Sequence, residues 1–153
     1  MVAELKRKLI TLYDTDYNLW VFETVKKLEK RDYDSIDWDN LIEEIFDLSK
    51  RDKRKLKSLL KKLFEHLLKL KYWKSEIERN KGHWQGEIRN FRQQIKDELK
   101  DSPSLKSYLQ EIFEECYQES REIASDRTQL PLETFPESSI GNLGEILDKN
   151  WFP

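Results

Sequence analysis

The spacing of the apolar residues is the feature that most constrains what this chain can fold into. Between Leu56 and Leu70, apolar side chains return every three or four residues, which places them on one face of an α-helix. Every other long apolar pattern in the sequence has the same period, whereas a half-buried strand would alternate residue by residue. The sequence therefore predicts an all-α fold, a helical bundle in which helices hold well over half of the residues.

The composition agrees with one helical domain. Charged residues make up 38% and apolar residues 37% of the chain, a balance typical of helices with wide solvated faces. Four Gly and four Pro are fewer turn residues than an all-β chain needs, and five Trp, six Tyr and seven Phe give the helices large surfaces to bury. Because 153 residues is the length of one ordinary domain, we predict a single domain over 1–153.

We predict about five main helices, and polar residues stand where the first two could be capped. The first helix spans about 16–30, with Asp14 and Thr15 as candidate caps. The second helix starts near Trp38, and Asp37 is placed to accept hydrogen bonds from its first turn.

The middle of the chain continues the helical period. Residues 50–73 are predicted to form a long helix, and the sequence leaves open whether 49–52 separate it from the second helix. Asparagine and glycine fall close together at 80–82, which predicts a turn there. The fourth helix follows over 84–99.

Pro103 marks the predicted start of the last main helix, which runs to about residue 126. Asp101 and Ser102 offer its N-cap, since proline is favoured in a first helical turn. The tail over 128–153 mixes turn residues with large apolar ones. Leaving those side chains in water would create an aggregation-prone patch, so we expect the tail to pack on the bundle formed by 13–127.

The apolar faces of the helices are expected to converge in one core. The candidate core residues are Trp20, Trp38, Leu63, Leu67, Ile88, Phe91, Leu109 and Phe113. The tail residues expected to be largely buried are Phe135, Leu143, Ile146, Leu147 and Trp151.

Five ordered motifs point to a known family. They are LYDTDYNLW at 12–20, IDWDNLIEEI at 36–45, DSPSLKSYL at 101–109, LPLETFP at 130–136 and ILDKNWFP at 146–153. In order and spacing the chain resembles the bacterial domain-of-unknown-function family 29 over nearly its whole length. The resemblance implies an all-helical fold and supplies no activity, cofactor or catalytic residue.

The sequence favours a cytoplasmic protein. Its single cysteine, Cys116, cannot form a disulfide within the chain, so nothing calls for an oxidising compartment. Neither a signal peptide nor an apolar run of membrane-spanning length is evident, and we expect no membrane partner. Because Cys116 falls on an apolar helix face, we interpret it as a buried, inert thiol.

Charge is unevenly distributed along the chain. Residues 50–74 carry eleven basic and two acidic side chains, a local net charge of +9, whereas 13–49 carry four basic and eleven acidic ones, a net charge of −7. The basic helix could bind phosphates of a nucleic acid, with Lys53, Lys57 and Lys61 as candidate contacts. We favour the other interpretation, in which the acidic segment neutralises it.

Aromatic and basic residues alternate near the predicted turn. Trp73 and Trp84 lie among several lysines and arginines, and such aromatics can stack on bases. The structural alternative, which we favour, is that both rings cap the core while lysine stems cover them.

No metal, cofactor or catalytic arrangement is indicated. Neither His66 nor His83 stands in the Glu-x-x-His spacing that aims two ligands into a helical bundle. Glu43 and Glu44 are adjacent, so they do not share a helix face as a pair of catalytic carboxylates would. We therefore expect neither a metal site nor a cofactor.

Three functions remain open at this point. The first is a non-enzymatic cytoplasmic helical interaction module that binds a protein partner or itself through a helix face. The alternative is a nucleic-acid-binding protein that uses the basic helix with Lys53, Lys57 and Lys61 and the aromatic pair Trp73 and Trp84. The third is an enzyme whose residues the sequence does not name.

Overall fold

The computed structural model describes residues 11–153, and every regular element in that range is helical. Three 3-10 turns lie at Tyr33–Ser35, Lys74–Glu76 and Leu132–Thr134. The α-helices of this range are α1 (Leu12–Thr15), α2 (Tyr17–Glu29), α3 (Trp38–Tyr72), α4 (Ile77–Asp101), α5 (Leu105–Thr128) and α6 (Leu143–Leu147). The predicted all-α bundle is confirmed.

The chain divides into two compact units, Met1–Ser49 and Lys50–Pro153, and the boundary falls inside α3. Helix α3 is continuous over 35 residues, so 49–52 do not break it. That 1–153 form one domain stays a prediction.

Side-chain caps set the helix starts in the first unit. Asp16 caps α2 by accepting a hydrogen bond from the Leu19 N–H at 3.0 Å. The predicted caps Asp14 and Thr15 are wrong, because both residues belong to the short helix α1. At the start of α3 the Asp37 carboxylate accepts from the Asn40 N–H at 3.4 Å, as predicted.

The turn predicted at 80–82 is also wrong. The chain reverses earlier, in the 3-10 turn Lys74–Glu76, and Gly82 lies inside α4. A glycine in a helix interior costs roughly 1 kcal/mol relative to alanine. Burial of Trp84 and Ile88 on the same helix outweighs that cost, since each large apolar side chain contributes roughly 1.5–3 kcal/mol.

The residues that join α4 to α5 have other roles than predicted. Asp101 is the last residue of α4, and the Ser102 N–H donates to the Glu98 carbonyl to close that helix. Helix α5 begins only at Leu105, whose N–H donates to the Ser102 carbonyl at 3.0 Å. Asp101 and Ser102 therefore end one helix instead of capping the next.

The core of the second unit joins α3, α4, α5 and the tail. Of the predicted core residues it contains Leu63, Leu67, Ile88, Phe91 and Leu109 as buried side chains, with Phe113 packed against them. Trp20 is buried in the first unit, outside this core. Trp38 is 45% exposed, contrary to prediction, because its indole N–H donates to the Tyr33 carbonyl at 2.9 Å and its ring packs beside that tyrosine.

The tail packs on this core, as predicted. Phe135 and Ile146 are fully buried, and Leu143, Leu147 and Trp151 are partly buried against the core. Side chains of the bundle hold the tail backbone: the Arg121 Nε donates to the Phe135 carbonyl at 3.0 Å. The tail is therefore part of the folded unit.

Candidate functional site

The lysines predicted to contact phosphates are engaged with side chains of other helices. Lys57 lies 3.1 Å from a Glu115 oxygen, and Lys61 lies 2.8 Å from a Glu119 oxygen. The ammonium of Lys53 lies 5.4 Å from the centre of the Tyr108 ring. The basic face of α3 is therefore partly neutralised within the protein.

For three lysines of α3 the partners lie outside 13–49. The glutamates paired with Lys57 and Lys61 lie on α5, and Lys55 pairs with Glu98 of α4. That 13–49 neutralises the rest of the basic helix stays a prediction. The sequence could not locate these glutamates because a charge count along the chain does not say which helices pack side by side.

Trp73 and Trp84 do meet, but they stack on each other. Their ring centres are 5.7 Å apart and their planes differ by 16°. Trp84 is only 4% exposed, so its ring offers no face to a base. Trp73 is half-buried, and the choice between base stacking and a structural role for the pair stays a prediction.

A different surface stands out in the first unit. Thirteen of the fourteen large apolar side chains that are strongly exposed in the described part of the chain lie between residues 12 and 48. We call these thirteen the amino-terminal apolar surface: Leu12, Tyr17, Leu19, Val21, Phe22, Val25, Leu28, Tyr33, Trp38, Ile42, Ile45, Phe46 and Leu48.

Much of this surface follows helical spacing. On α3, Trp38, Ile42 and Ile45 are separated by four and three residues, which aligns them along one face. Such a stripe normally marks the buried side of a helix. In the structure these three side chains are exposed by 45%, 50% and 60%.

A hydrogen-bonded aromatic cluster organises the same unit. The Glu44 carboxylate accepts hydrogen bonds from the hydroxyls of Tyr13 and Tyr17, each at 2.6 Å. The Tyr13 ring packs edge-on against Trp20, with 4.8 Å between the ring centres. These contacts join α1 and α2 to the first part of α3, which fixes the helices that carry the apolar surface.

Charge and burial shape this cluster further. The hydrogen bond to Glu44 raises the pKa of Tyr13 to about 12, so the tyrosine stays neutral and remains a donor. Within residues 11–153 the buried Trp20 indole N–H has no hydrogen-bond partner, and the Trp20 ring packs against those of Tyr13 and Tyr17. The role of Glu44 as a hydrogen-bond acceptor could not be predicted, because the tyrosines that donate to it lie 27 and 31 residues away in the sequence.

Comparison with protein-family models decides the family. The model described as "Domain of unknown function DUF29" matches residues 12–152, nearly the whole chain. The chain belongs to the DUF29 family. Neither the comparison with curated proteins nor the comparison with solved structures gave a match.

The remaining reactive residues of this DUF29 chain occupy structural positions. Cys116 is fully buried, and burial raises the pKa of its thiol to about 11, which agrees with an inert thiol. His66 packs edge-on against Phe91, and burial lowers the pKa of its imidazole. Residues 11–153 hold no group of three His, Cys, Asp or Glu side chains that could bind a metal ion.

None of the helices described for this DUF29 chain is both long enough and apolar enough to cross a bilayer.

Proposed function

We propose that this DUF29 chain is a non-enzymatic helical interaction module of the bacterial cytoplasm, which binds a protein partner or a second copy through the amino-terminal apolar surface. The observation that carries the proposal is the concentration of exposed large apolar side chains in 12–48. Exposure of 37–64% on thirteen such residues amounts to roughly 1,000 Å².

That area is large for a surface that stays in water. The largest apolar patch on a typical monomer covers roughly 300–600 Å². One partner in a stable protein interface contributes roughly 800 Å². The summed exposure of the thirteen side chains is thus as large as one partner's share of a specific interface, and covering them would remove an aggregation risk.

Charge favours a partner of a particular kind. Between residues 13 and 49 there are eleven acidic and four basic side chains, so the apolar residues lie among an excess of negative charge. A partner with basic residues around an apolar stripe would be attracted to such a surface, whereas a second copy would bring like charges together. A self-associated form should therefore tighten as salt rises.

Co-purification with charged variants tests the proposal. Ile45→Glu and Phe46→Glu each place a carboxylate in the apolar surface, at side chains that are 60% and 64% exposed and so dispensable for the fold. Phe152→Glu is the matched control, because Phe152 is an exposed aromatic outside 12–48. The chain is expressed in its own cell type with one tag, together with a second copy carrying another tag.

We expect the wild type and Phe152→Glu to retain the same partner, either the second copy or another protein, and the two surface variants to lose it. Retention of every partner by Ile45→Glu and Phe46→Glu would contradict the proposal.

A further inference from the structure

Arg92 on α4 is a buried cation without a carboxylate partner. Its side chain is 2% exposed, and its Nε and Nη2 donate to the carbonyls of Ile146 and Trp151, both at 2.8 Å. Among the described residues no carboxylate forms an ion pair with it. Asp148 acts on its charge only through space, and burial lowers the pKa of the guanidinium.

Carbonyl oxygens accept hydrogen bonds from two nitrogens of this guanidinium, but they carry no full negative charge that would neutralise it. A buried charge normally has an ionic partner, because removing an ion from water costs several kcal/mol. The hydrogen bonds of Arg92 occupy Nε and Nη2, and its Nη1 has no acceptor within 11–153. Because Nη1 is not buried within the described residues, it reaches solvent and remains free to donate to an anion.

A groove of about 320 Å³ lies beside Arg92, between α4 and the end of the tail. Its lining residues are Gln85, Gly86, Arg89, Arg92, Lys149 and Phe152. It continues into a second depression that shares four of these residues and adds Lys96 with the amide side chains of Asn90 and Gln93. Four cations thus line the two depressions, and no carboxylate does.

The chemistry of the lining selects the ligand. Arg89 can present the parallel N–H donors that match a phosphate group, the Nη1 of Arg92 adds a further donor, and lysine adds a point charge. The Phe152 ring is 42% exposed and lies 5.3 Å from the Arg92 guanidinium, which gives the groove one apolar wall. The volume is at the lower end of the range for small-molecule sites, roughly 300–1,000 Å³.

We propose that this groove binds the phosphoryl group of a small molecule, with Arg92, Arg89 and Lys149 as its charged contacts. The ligand supplies the anion that Arg92 lacks. This site is independent of the amino-terminal apolar surface and goes beyond the proposed function.

Two glycines of α4 allow a matched test. A Cβ atom added at Gly82 or at Gly86 would meet nothing within 4 Å, so both positions accept a side chain. Only Gly86 lines the groove. Gly86→Glu and Gly82→Glu therefore make the same change in net charge and in helix propensity, but only the first places a carboxylate among the groove cations.

The experiment is calorimetric titration of the full chain with inorganic pyrophosphate at low salt. We expect one site per chain, weakened at least about tenfold by Gly86→Glu, by Arg89→Gln and by Lys149→Gln, since one charge-assisted hydrogen bond accounts for roughly that factor. Gly82→Glu, one helical turn further from the groove cations, should weaken binding clearly less than Gly86→Glu does. Circular dichroism of each variant confirms that it folds.

Further titrants identify the source of the phosphoryl group. Tighter binding of a hexose phosphate or of adenosine monophosphate than of inorganic phosphate would assign the groove to a phosphate ester, and equal binding would assign it to free phosphate. The proposal is overturned if pyrophosphate does not bind, if Gly82→Glu and Gly86→Glu weaken it equally, or if an oligonucleotide binds where pyrophosphate does not.

Discussion

At the scale of single residues, the packing of the tail depends on close contacts between particular residues. Gly141 is the clearest case, because a Cβ atom at this position would lie 2.9 Å from two carbons of the Trp151 ring. The indole occupies the space that any other residue would need. Nothing in the sequence pairs Gly141 with Trp151, since the contact depends on how the tail folds back after α6.

Gly141→Ala should therefore destabilise the protein. Overpacking of this kind costs typically 1–3 kcal/mol, and a loss of 1 kcal/mol lowers Tm by roughly 2–4 °C in a domain of this size. Gly82→Ala is the control, because its Cβ would meet nothing and alanine favours a helix. Thermal melts should move in opposite directions for the two variants, and a raised Tm for Gly141→Ala would show that Trp151 is free to shift.

Glu65 gives a prediction on pH. Burial alone would raise the pKa of its carboxyl, but hydrogen bonds from Lys69 and Arg127 outweigh burial and hold the pKa below its ordinary value. A carboxyl with a lowered pKa in the folded state contributes stability above its unfolded pKa, and that contribution is lost as pH falls through the folded pKa.

Urea denaturation of wild type and Glu65→Gln, from pH 7 down to pH 3, measures this contribution. We expect the wild type to be the more stable at pH 7 and the difference to shrink as the pH drops below about 4. A difference that is independent of pH would mean that the two cations do not stabilise the ionised form.

At the scale of elements, apolar periodicity predicted the helices better than local residue type predicted their ends. The apolar stripes predicted both parts of α3 but left open whether they join, and the predicted cap Asp37 is confirmed. Gly82 does not form the predicted turn, because burial on the same helix outweighs the preference of glycine. Ser102 ends α4 instead of capping the next helix. Cap geometry and tertiary packing determine where these helices end, and the local sequence predicts neither.

Pairing between helices gives a prediction for the basic face of α3. Charge reversal of Lys53, Lys57 and Lys61 together to glutamate breaks the pairs with Glu115 and Glu119. Stability should fall only slightly, because exposed ion pairs contribute little. Nucleic-acid binding should be undetectable by fluorescence anisotropy before and after the change.

Uncharged variants, with glutamine at the same three lysines, separate lost attraction from new repulsion. The nucleic-acid alternative would be supported if the wild type bound nucleic acid at physiological salt and both the glutamate and the glutamine variants lost that binding.

At the scale of the whole molecule, the all-α fold and the packed tail could be predicted from the sequence, but the candidate site could not. Trp38, Ile42 and Ile45 have the spacing of a buried stripe, and only the structure reveals their exposure. Periodicity identifies an apolar face without saying whether the chain itself or a partner covers it. The burial of Arg92 could not be predicted either, because the tail carbonyls that accept its hydrogen bonds lie more than 50 residues away in the sequence.

Photo-crosslinking in the living cell tests the central claim most directly. A photoreactive phenylalanine analogue replaces Ile42 or Phe46 in the amino-terminal apolar surface, and Asp97 or Lys106, both exposed on the second unit, in the controls. We expect discrete crosslinked products, with a second copy or another protein, from the two surface positions and none from the controls. Equal crosslinking from all four positions, or none from Ile42 and Phe46, would contradict the account.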